Sequence, residues 1–326
     1  MHRRNSVKFA ITTLLSLLVF SANAQDANSY PSKPIRIIVN FPPGGTVDVM
    51  TRGVAQKLTE KWGQPVVVDN RPGAGGNIGA QAVASAEPDG YTLLATPPGP
   101  MTINQYLYKD MRFDPAKLSS VIMMASVPNA IAARIDFPAN NVKELIAYTK
   151  ANPGKVSFGS QGNGSTSHLT GQMFATMVGA DMMHIPFKGE GPALTEILGG
   201  RVDLFLGNIS AVLKLHQNKQ IKLLGVASPK RSPMASEIPS SQEFGMPDFV
   251  ASAWFAIAAP PGTPAPIVNK LNAAILEALK LPDTQQKMAA LGGEVVGGSP
   301  ADMTTMVIAE RARWKKVIET ANVKLD

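Results

Sequence analysis

Along most of the chain, short runs of β-branched and aliphatic residues alternate with stretches whose apolar positions recur three or four residues apart. The first pattern fits a strand buried on both faces and the second an amphipathic helix lying against it. Together they predict an α/β protein with parallel sheets covered by helices. Ile35–Val39 is the first such strand, the turn Pro42-Pro43-Gly44-Gly45 follows it, and Val47, Met50, Val54, Leu58 and Trp62 then mark one face of a helix. A strand at 66–68, a helix at 78–86 and a strand at 91–94 complete a first doubly wound unit. A second unit starts near residue 126, with strands at 130–133, 156–158, 182–185, 202–206 and 222–226 and helices at 142–151, 165–178, 192–198 and 211–217. Asn141 with Glu144 three residues on is a capping pair for the first of these helices.

The second unit ends before a long apolar strand at 249–259, and helices opened by Thr263-Pro264 and Ser299-Pro300 follow that strand, each pairing a capping hydroxyl with proline at the first helical position. Met303, Met306, Val307, Trp314, Val317 and Ile318 give the last helix an apolar side to dock with. Were the two units merely consecutive, the first sheet would hold only three strands, against a usual five or so. A returning chain repairs this. Crossings near residues 125 and 251 would give a discontinuous first lobe, 31–125 plus 252–326, and an inserted second lobe, 126–251. Two doubly wound lobes joined by a two-strand hinge are suited to closing around a ligand.

The N-terminus changes the picture of where this happens. Basic residues up to Lys8, an apolar stretch at 9–20 and Ala22-Asn23-Ala24 have the layout of a secretory signal peptide, with cleavage expected after Ala24 and the periplasm as destination. Twelve apolar residues are too few to cross about 30 Å of hydrocarbon, which takes roughly 20. Losing residues 1–24 removes Arg3, Arg4 and Lys8, so the formal charge falls from +7 to +4. The remaining cations are scattered and aromatic residues are only 6%, which argues against nucleic-acid binding. With no cysteine, disulfides, thiolate metal sites and cysteine catalysis are excluded, and stability must come from buried apolar area.

Motifs for catalysis are sparse. His168, His184 and His216 match no zinc spacing, and neither a nucleophile elbow nor a phosphate-binding loop is present. Gly73-Ala-Gly-Gly-Asn-Ile-Gly79 misses the dinucleotide fingerprint by having Ile78 where glycine is required, so no cofactor and no metal are expected. Three glycine-rich connections instead lie where the carboxyl ends of strands should be: Pro42 to Asp48, Thr96-Pro-Pro-Gly99, and Ser160 to His168. Ligands of open α/β sheets gather there. Glycines let a ligand approach main-chain N–H groups, and the helix N-termini at Thr46 and Ser165 favour negative charge, so the pocket suits a small anion, a carboxylate above all. Ser165, Thr166 and Thr96 would add hydroxyl donors. Asp48 would either cap backbone donors or orient a ligand. Lys188 would pair with a ligand carboxylate or with its neighbour Glu190. His168 would pack, cap or donate.

At these residues the chain resembles the solute-binding receptors of tripartite tricarboxylate transporters, the Bug family, over essentially all of the length after the leader. The resemblance is carried by Tyr30 to Gly45, Val68-Asp-Asn-Arg-Pro-Gly-Ala-Gly-Gly-Asn-Ile-Gly-Ala80, Pro88-Asp-Gly-Tyr-Thr-Leu-Leu94, Pro186-Phe-Lys-Gly-Glu-Gly-Pro-Ala-Leu through Asp203, and Trp254-Phe-Ala-Ile-Ala-Ala-Pro260. It implies a type II periplasmic binding fold and a monomeric, non-enzymatic receptor that hands a small carboxylate to the membrane subunits of its transporter. Carboxylates in such receptors are gripped by main-chain donors and waters rather than by arginine, in line with the absence of arginine from the three connections. The family's pocket falls on Phe41, Pro43, Gly44, Gly45, Thr46 and Asp48, on Thr96 and Asn104, and on Ser160, Gly162, Gly164, Ser165, Thr166 and His168.

Two departures bear on the ligand. Val47 replaces the hydroxyl residue usual before the aspartate, and Thr96-Pro-Pro-Gly99 is stiffer than the common polar version. Both remove donors, so the expected ligand has one strongly held carboxylate and a less polar remainder, an organic or aromatic acid in place of a citrate-like one. A periplasmic sensor subunit would need the same hinge, and a hydrolase using Ser165 or Ser160 with His168 is the enzymatic alternative.

Overall fold

The computed structural model describes residues 29–325, so the expected leader lies outside the described residues. Among the described residues ten strands are hydrogen-bonded together, eight along one path and two more pairing off that path with its longest strand. In chain order they and the helices between them are β1 (Ile35–Val39), α1 (Thr46–Trp62), β2 (Val66–Asn70), α2 (Asn77–Ala84), β3 (Thr92–Thr96), β4 (Ser119–Arg134), α3 (Val142–Ala151), β5 (Val156–Ser160), α4 (Thr166–Val178), β6 (Met182–Pro186), α5 (Glu190–Leu198), β7 (Leu204–Asn208), α6 (Ile209–Gln217), β8 (Ile221–Val226), β9 (Ser252–Ala259), α7 (Ala265–Lys280), α8 (Pro282–Ala290), β10 (Glu294–Gly297) and α9 (Pro300–Thr320).

Burial on both faces explains the apolar runs. Ile35, Ile37 and Val39 of β1 pack with Val47, Met50, Val54 and Leu58 of α1 and with Ile267 and Leu271 of α7. Ile38 faces the other way, towards Ala80 and Val83 of α2 and Met303 and Val307 of α9. Only Arg36 of this strand is exposed, since helices cover both sides.

The sheets are mixed rather than parallel, which corrects the sequence expectation. β2, β1 and β3 are parallel, but β9 runs antiparallel to β3, and β4 antiparallel to both β9 and β10. In the second lobe β5 is parallel to β6 and β7, while β4 is antiparallel to β7 and β8. The cause is the crossing chain: β4 leaves the first lobe and β9 returns beside it, so the two must point opposite ways.

β4 is also much longer than the four residues predicted. Its first part pairs with β9 as far as Pro128, opposite Ser252, and its second part pairs with β7 and β8 from Asn129 and Ala130 onward. Pro128 therefore marks a change of partners and not the end of a strand. The return is tied to this point, because the Asn129 N–H donates to Ala251 O and the Ala251 N–H to Ala227 O. Two doubly wound lobes joined by a two-strand hinge are thus present.

Some local details differ from expectation. Thr263 does not cap α7; its hydroxyl donates to Pro260 O, and Pro264 is the cap residue. α8 and β10 carry weak patterns and were not predicted. Asn141 and Ser299 cap α3 and α9 as expected, Ser299 in a reciprocal pair with Asp302. α9 spans both lobes, since Met303 and Val307 pack on the first while Trp314 and Ile318 join Phe174 and Phe249 of the second.

Candidate functional site in the cleft between the lobes

The turn after β1 is shaped for exposed main-chain donors. Gly44 adopts a positive φ of 80°, and Gly45 stands before α1 with no side-chain cap, so the first N–H groups of a 17-residue helix look outward. Asp48 stabilises this turn from behind. Its Oδ2 accepts from Gly44 N–H at 2.9 Å and from Arg52 Nε at 3.0 Å, while its Oδ1 accepts from Asn70 Nδ2 at 2.9 Å. Burial alone would raise its pKa, but the bonds from Arg52, Gly44 and Asn70 outweigh it and hold the carboxyl below its ordinary value.

What faces the helix N-terminus from the opposite lobe is a carboxylate. Glu190, the first residue of α5, places Oε2 at 3.2 Å from the Thr46 N–H, and Thr46 Oγ1 lies 3.2 Å from both of its oxygens. Gln161 Nε2 donates to Oε1 at 2.7 Å, and Asn208 Nδ2 donates to the same oxygen. Thr46 Oγ1 is also 2.9 Å from Ser210 Oγ. One lobe thus supplies the helix terminus, and the other supplies two amides and the carboxylate they grip. Desolvation raises the Glu190 pKa, against the lowering effect of the Thr46 and Asn208 bonds. Asn208 Oδ1, buried here, has no hydrogen-bond partner among the described residues.

Two cavities adjoin this cluster. The smaller, about 200 Å³, is bounded by Pro43, Gly44, Gly45, Thr46, Pro97, Glu190 and Asn208. The larger, about 630 Å³, is bounded by Asn40, Gly73 to Gly76, Tyr108, Gly162, Asn163, Phe187 and Lys188. Phe41, Pro42, Gln161 and Gly189 border both. Pro42 separates them by crowding Gly189, where even a β-carbon would come within 3.1 Å of the proline ring.

Of the residues predicted from sequence, the structure brings Phe41, Pro43, Gly44, Gly45, Thr46, Gly162 and Lys188 to the cavity walls. The others lie behind them. Thr96 Oγ1 accepts from Asn40 Nδ2 and donates to Pro97 O. Asn104 Nδ2 bonds Gly75 O and Asn77 Oδ1, buttressing the glycine turn. Ser165 caps α4 by accepting from the His168 N–H and donates its hydroxyl to Gly162 O at 2.6 Å. Thr166 is buried in the first turn of α4.

The histidines form a packed pair. The rings of His168 and His184 stack 3.9 Å apart, Phe158 stacks on His184, Ser160 Oγ is 2.7 Å from His184 Nε2, and Gly164 N–H donates to His168 Nδ1. Burial lowers both pKa values, to about 3 for His168, where His184 also contributes, and about 4 for His184. Both rings are therefore neutral near pH 7, and His168 is held by packing and a backbone bond.

Gln161, Asn208, Ser210 and the cavity-side role of Glu190 were missed. Gln161 lay inside a predicted connection, between Ser160 and Gly162, and could have been found there. Glu190 read as a loop partner for Lys188, and Asn208 fell between the strand predicted at 202–206 and the helix predicted at 211–217; only the packing of one lobe against the other brings them to Thr46.

Comparison with known proteins places the chain in a family. A family model described as the tripartite tricarboxylate transporter family receptor matches residues 50–323. The protein BugT of Bordetella pertussis is 38% identical over 323 residues, covering 97% of this chain and 99% of its own. A solved structure titled R. palustris Rpa4515 with adipate is 38% identical with a TM-score of 0.88, over 91% of this chain and 100% of that one. MatC from Rhodopseudomonas palustris with bound malate is 30% identical with a TM-score of 0.84, over 89% of this chain and 100% of that one.

Proposed function

The chain belongs to the tripartite tricarboxylate transporter receptor family, and from that premise we propose that it is an exported receptor that closes on a small carboxylate. The observation that carries this reading is the Glu190 carboxylate itself, bound between the lobes by one helix N-terminus, one hydroxyl and two amides without any arginine. Donors that hold this carboxylate suit a solute carboxylate, and the uncapped N-terminus of α1 adds favourable field worth about 0.3–1 kcal/mol. The relatives solved with adipate and malate support the same ligand class.

The larger cavity suits a less polar remainder. Phe41, Pro42, Pro72, Pro186 and Phe187 border it, with Asn40, Tyr108, Gln161, Asn163 and Lys188 as polar groups. The site is thus the turn 41–46 together with Gln161, Gly162, Lys188 and Asn208, with Asp48, Asn104, Ser160, Gly164, Ser165, Thr166 and His168 shaping it from behind. The change of partners along β4 at Pro128 and Asn129, opposite the return at Ser252, supports a division near 31–125 plus 252–326 and 126–251. Cleavage after Ala24 would release the receptor into the periplasm, where the closed form docks on its membrane subunits as a monomer. Catalysis is not part of this reading, because Ser165 is committed to Gly162 and His168, and Ser160 is fully buried against His184.

A thermal-shift titration with mono-, di- and tricarboxylates tests the proposal. A ligand at 100 times its Kd adds about 2.7 kcal/mol of stability, which in a chain this long raises Tm by about 5 °C. Stabilisation by an organic or aromatic acid is expected, weaker for citrate. No response to any acid, or a response to citrate alone, overturns it.

A further inference from the structure

Glu190 raises a question that the receptor reading does not answer: the groups best placed to hold a ligand carboxylate are already holding one. Its oxygens take the Thr46 N–H and hydroxyl from the first lobe and the amides of Gln161 and Asn208 from the second. An ordinary rim glutamate would face water. This one starts α5 beside Gly189, whose φ of 111° turns the chain so that the side chain reaches across the cleft.

A second feature shows that the seat is built for more than this contact. Asn208 is 2% exposed and borders the smaller cavity, yet its Oδ1 has no partner among the described residues while its Nδ2 serves Glu190. A buried amide oxygen left unpaired costs about 1–3 kcal/mol, and a ligand bearing a donor beside its carboxylate would satisfy it. The seat thus offers carboxylate donors, now filled, together with one acceptor, now idle.

We propose that Glu190 is a built-in surrogate for the ligand carboxylate: it occupies the seat at the N-terminus of α1, holds the lobes together without ligand, and must swing out before a solute can bind. The inference rests on the carboxylate-receptor reading. Its consequence is quantitative. If the latched form makes up nine-tenths of the ligand-free population, only one-tenth is competent, and the apparent affinity is about ten-fold weaker than that of an unlatched receptor. The displaced anion also stays near the bound solute, so Glu190 disfavours a second carboxylate close to the first and sets specificity against compact di- and tricarboxylates.

The test compares wild type, Glu190→Ala and Glu190→Gln, each purified from the periplasm and confirmed folded by thermal melting. Small-angle scattering of the ligand-free proteins reads the latch alone: wild type is expected to be compact and Glu190→Ala more extended, and equal dimensions overturn the proposal. Calorimetric titration with benzoate, adipate, malate and citrate reads displacement. Affinity for an acid that binds wild type should rise about ten-fold or more in Glu190→Ala, with Glu190→Gln between, and malate and citrate should gain most. Unchanged or weakened affinity overturns it, the latter by making Glu190 a direct ligand contact. If neither protein binds any acid, the receptor reading fails, and the scattering comparison alone decides the latch.

Discussion

His168 and His184 show how a side chain can look functional in sequence and serve as structure. Both are basic residues near a ligand loop, yet each is packed against rings and kept neutral by burial, at about 3 and about 4. In the unfolded chain both titrate near 6.5. The folded state thus resists protonation that the unfolded state accepts, so their stabilising share is intact above pH 6.5 and declines as pH falls towards 4 for His184 and 3 for His168. The loss approaches about 1.4 kcal/mol per pH unit for each histidine. Denaturant unfolding between pH 6.5 and 5, above most carboxylate titration, measures it. His184→Phe keeps a ring in the stack, loses the bond to Ser160, and is expected to lower stability at pH 7 while roughly halving the acid slope. An unchanged slope would mean that His184 is not a source.

At the scale of elements, the glycine turns act as contact surfaces between lobes. Gly75, at a φ of 60°, lies so near the opposite lobe that a β-carbon would sit 2.6 Å from Asn163 O, and Tyr108 Oη donates to the same carbonyl at 3.0 Å. Because the obstacle is main chain, Gly75→Ala cannot be accommodated by a rotamer change. It should leave each lobe folded, hold the cleft a little open, and weaken ligand affinity ten-fold or more, as titration would show; wild-type affinity would mean that closure does not bring these loops together. The dinucleotide reading of this segment failed on the position of Ile78, and the contact with Asn163 gives Gly75 its reason. Elements like these differ in how far sequence reveals them. β1 and α3 were legible to the residue, because one is a closed apolar run and the other carries its own cap. The first part of β4 was not: only 130–133 was read as strand, and Pro128, which cannot donate to a ladder, interrupts the run before it. The glycine turns at 42–48 and 160–168 were legible because backbone exposure is written in the glycines themselves, whereas Gly73 to Gly76 were not read as a wall of the cleft. Gln161, Glu190 and Asn208 were not, because a polar side chain acquires its role only when a distant segment arrives beside it.

Across the whole molecule, a two-strand hinge would allow wide opening if nothing else joined the lobes, but α9 makes a third connection. It leaves the first lobe through Met303 and Val307 and ends on the second through Trp314 and Ile318. Glu310, between them, accepts from Trp254 Nε1 of β9 at 3.3 Å and from Trp314 Nε1 at 2.9 Å, so the helix is pinned beside the crossing strand. Arg311 adds a bond to Met101 O, and Arg313 one to Val250 O just before β9. A helix fixed at both ends limits how far the lobes can swing, which keeps the open form near the closed one and lowers the ordering needed when ligand binds. Trp314 is fully buried, so Trp314→Ala should cost about 3–5 kcal/mol in denaturant unfolding. A simple core defect would stop there. Release of a restraint should also enlarge the ligand-free radius of gyration and weaken ligand affinity, although no donor in the cleft has been touched. Loss of stability with unchanged dimensions and affinity would reduce α9 to a packing element and leave the hinge to β4 and β9 alone.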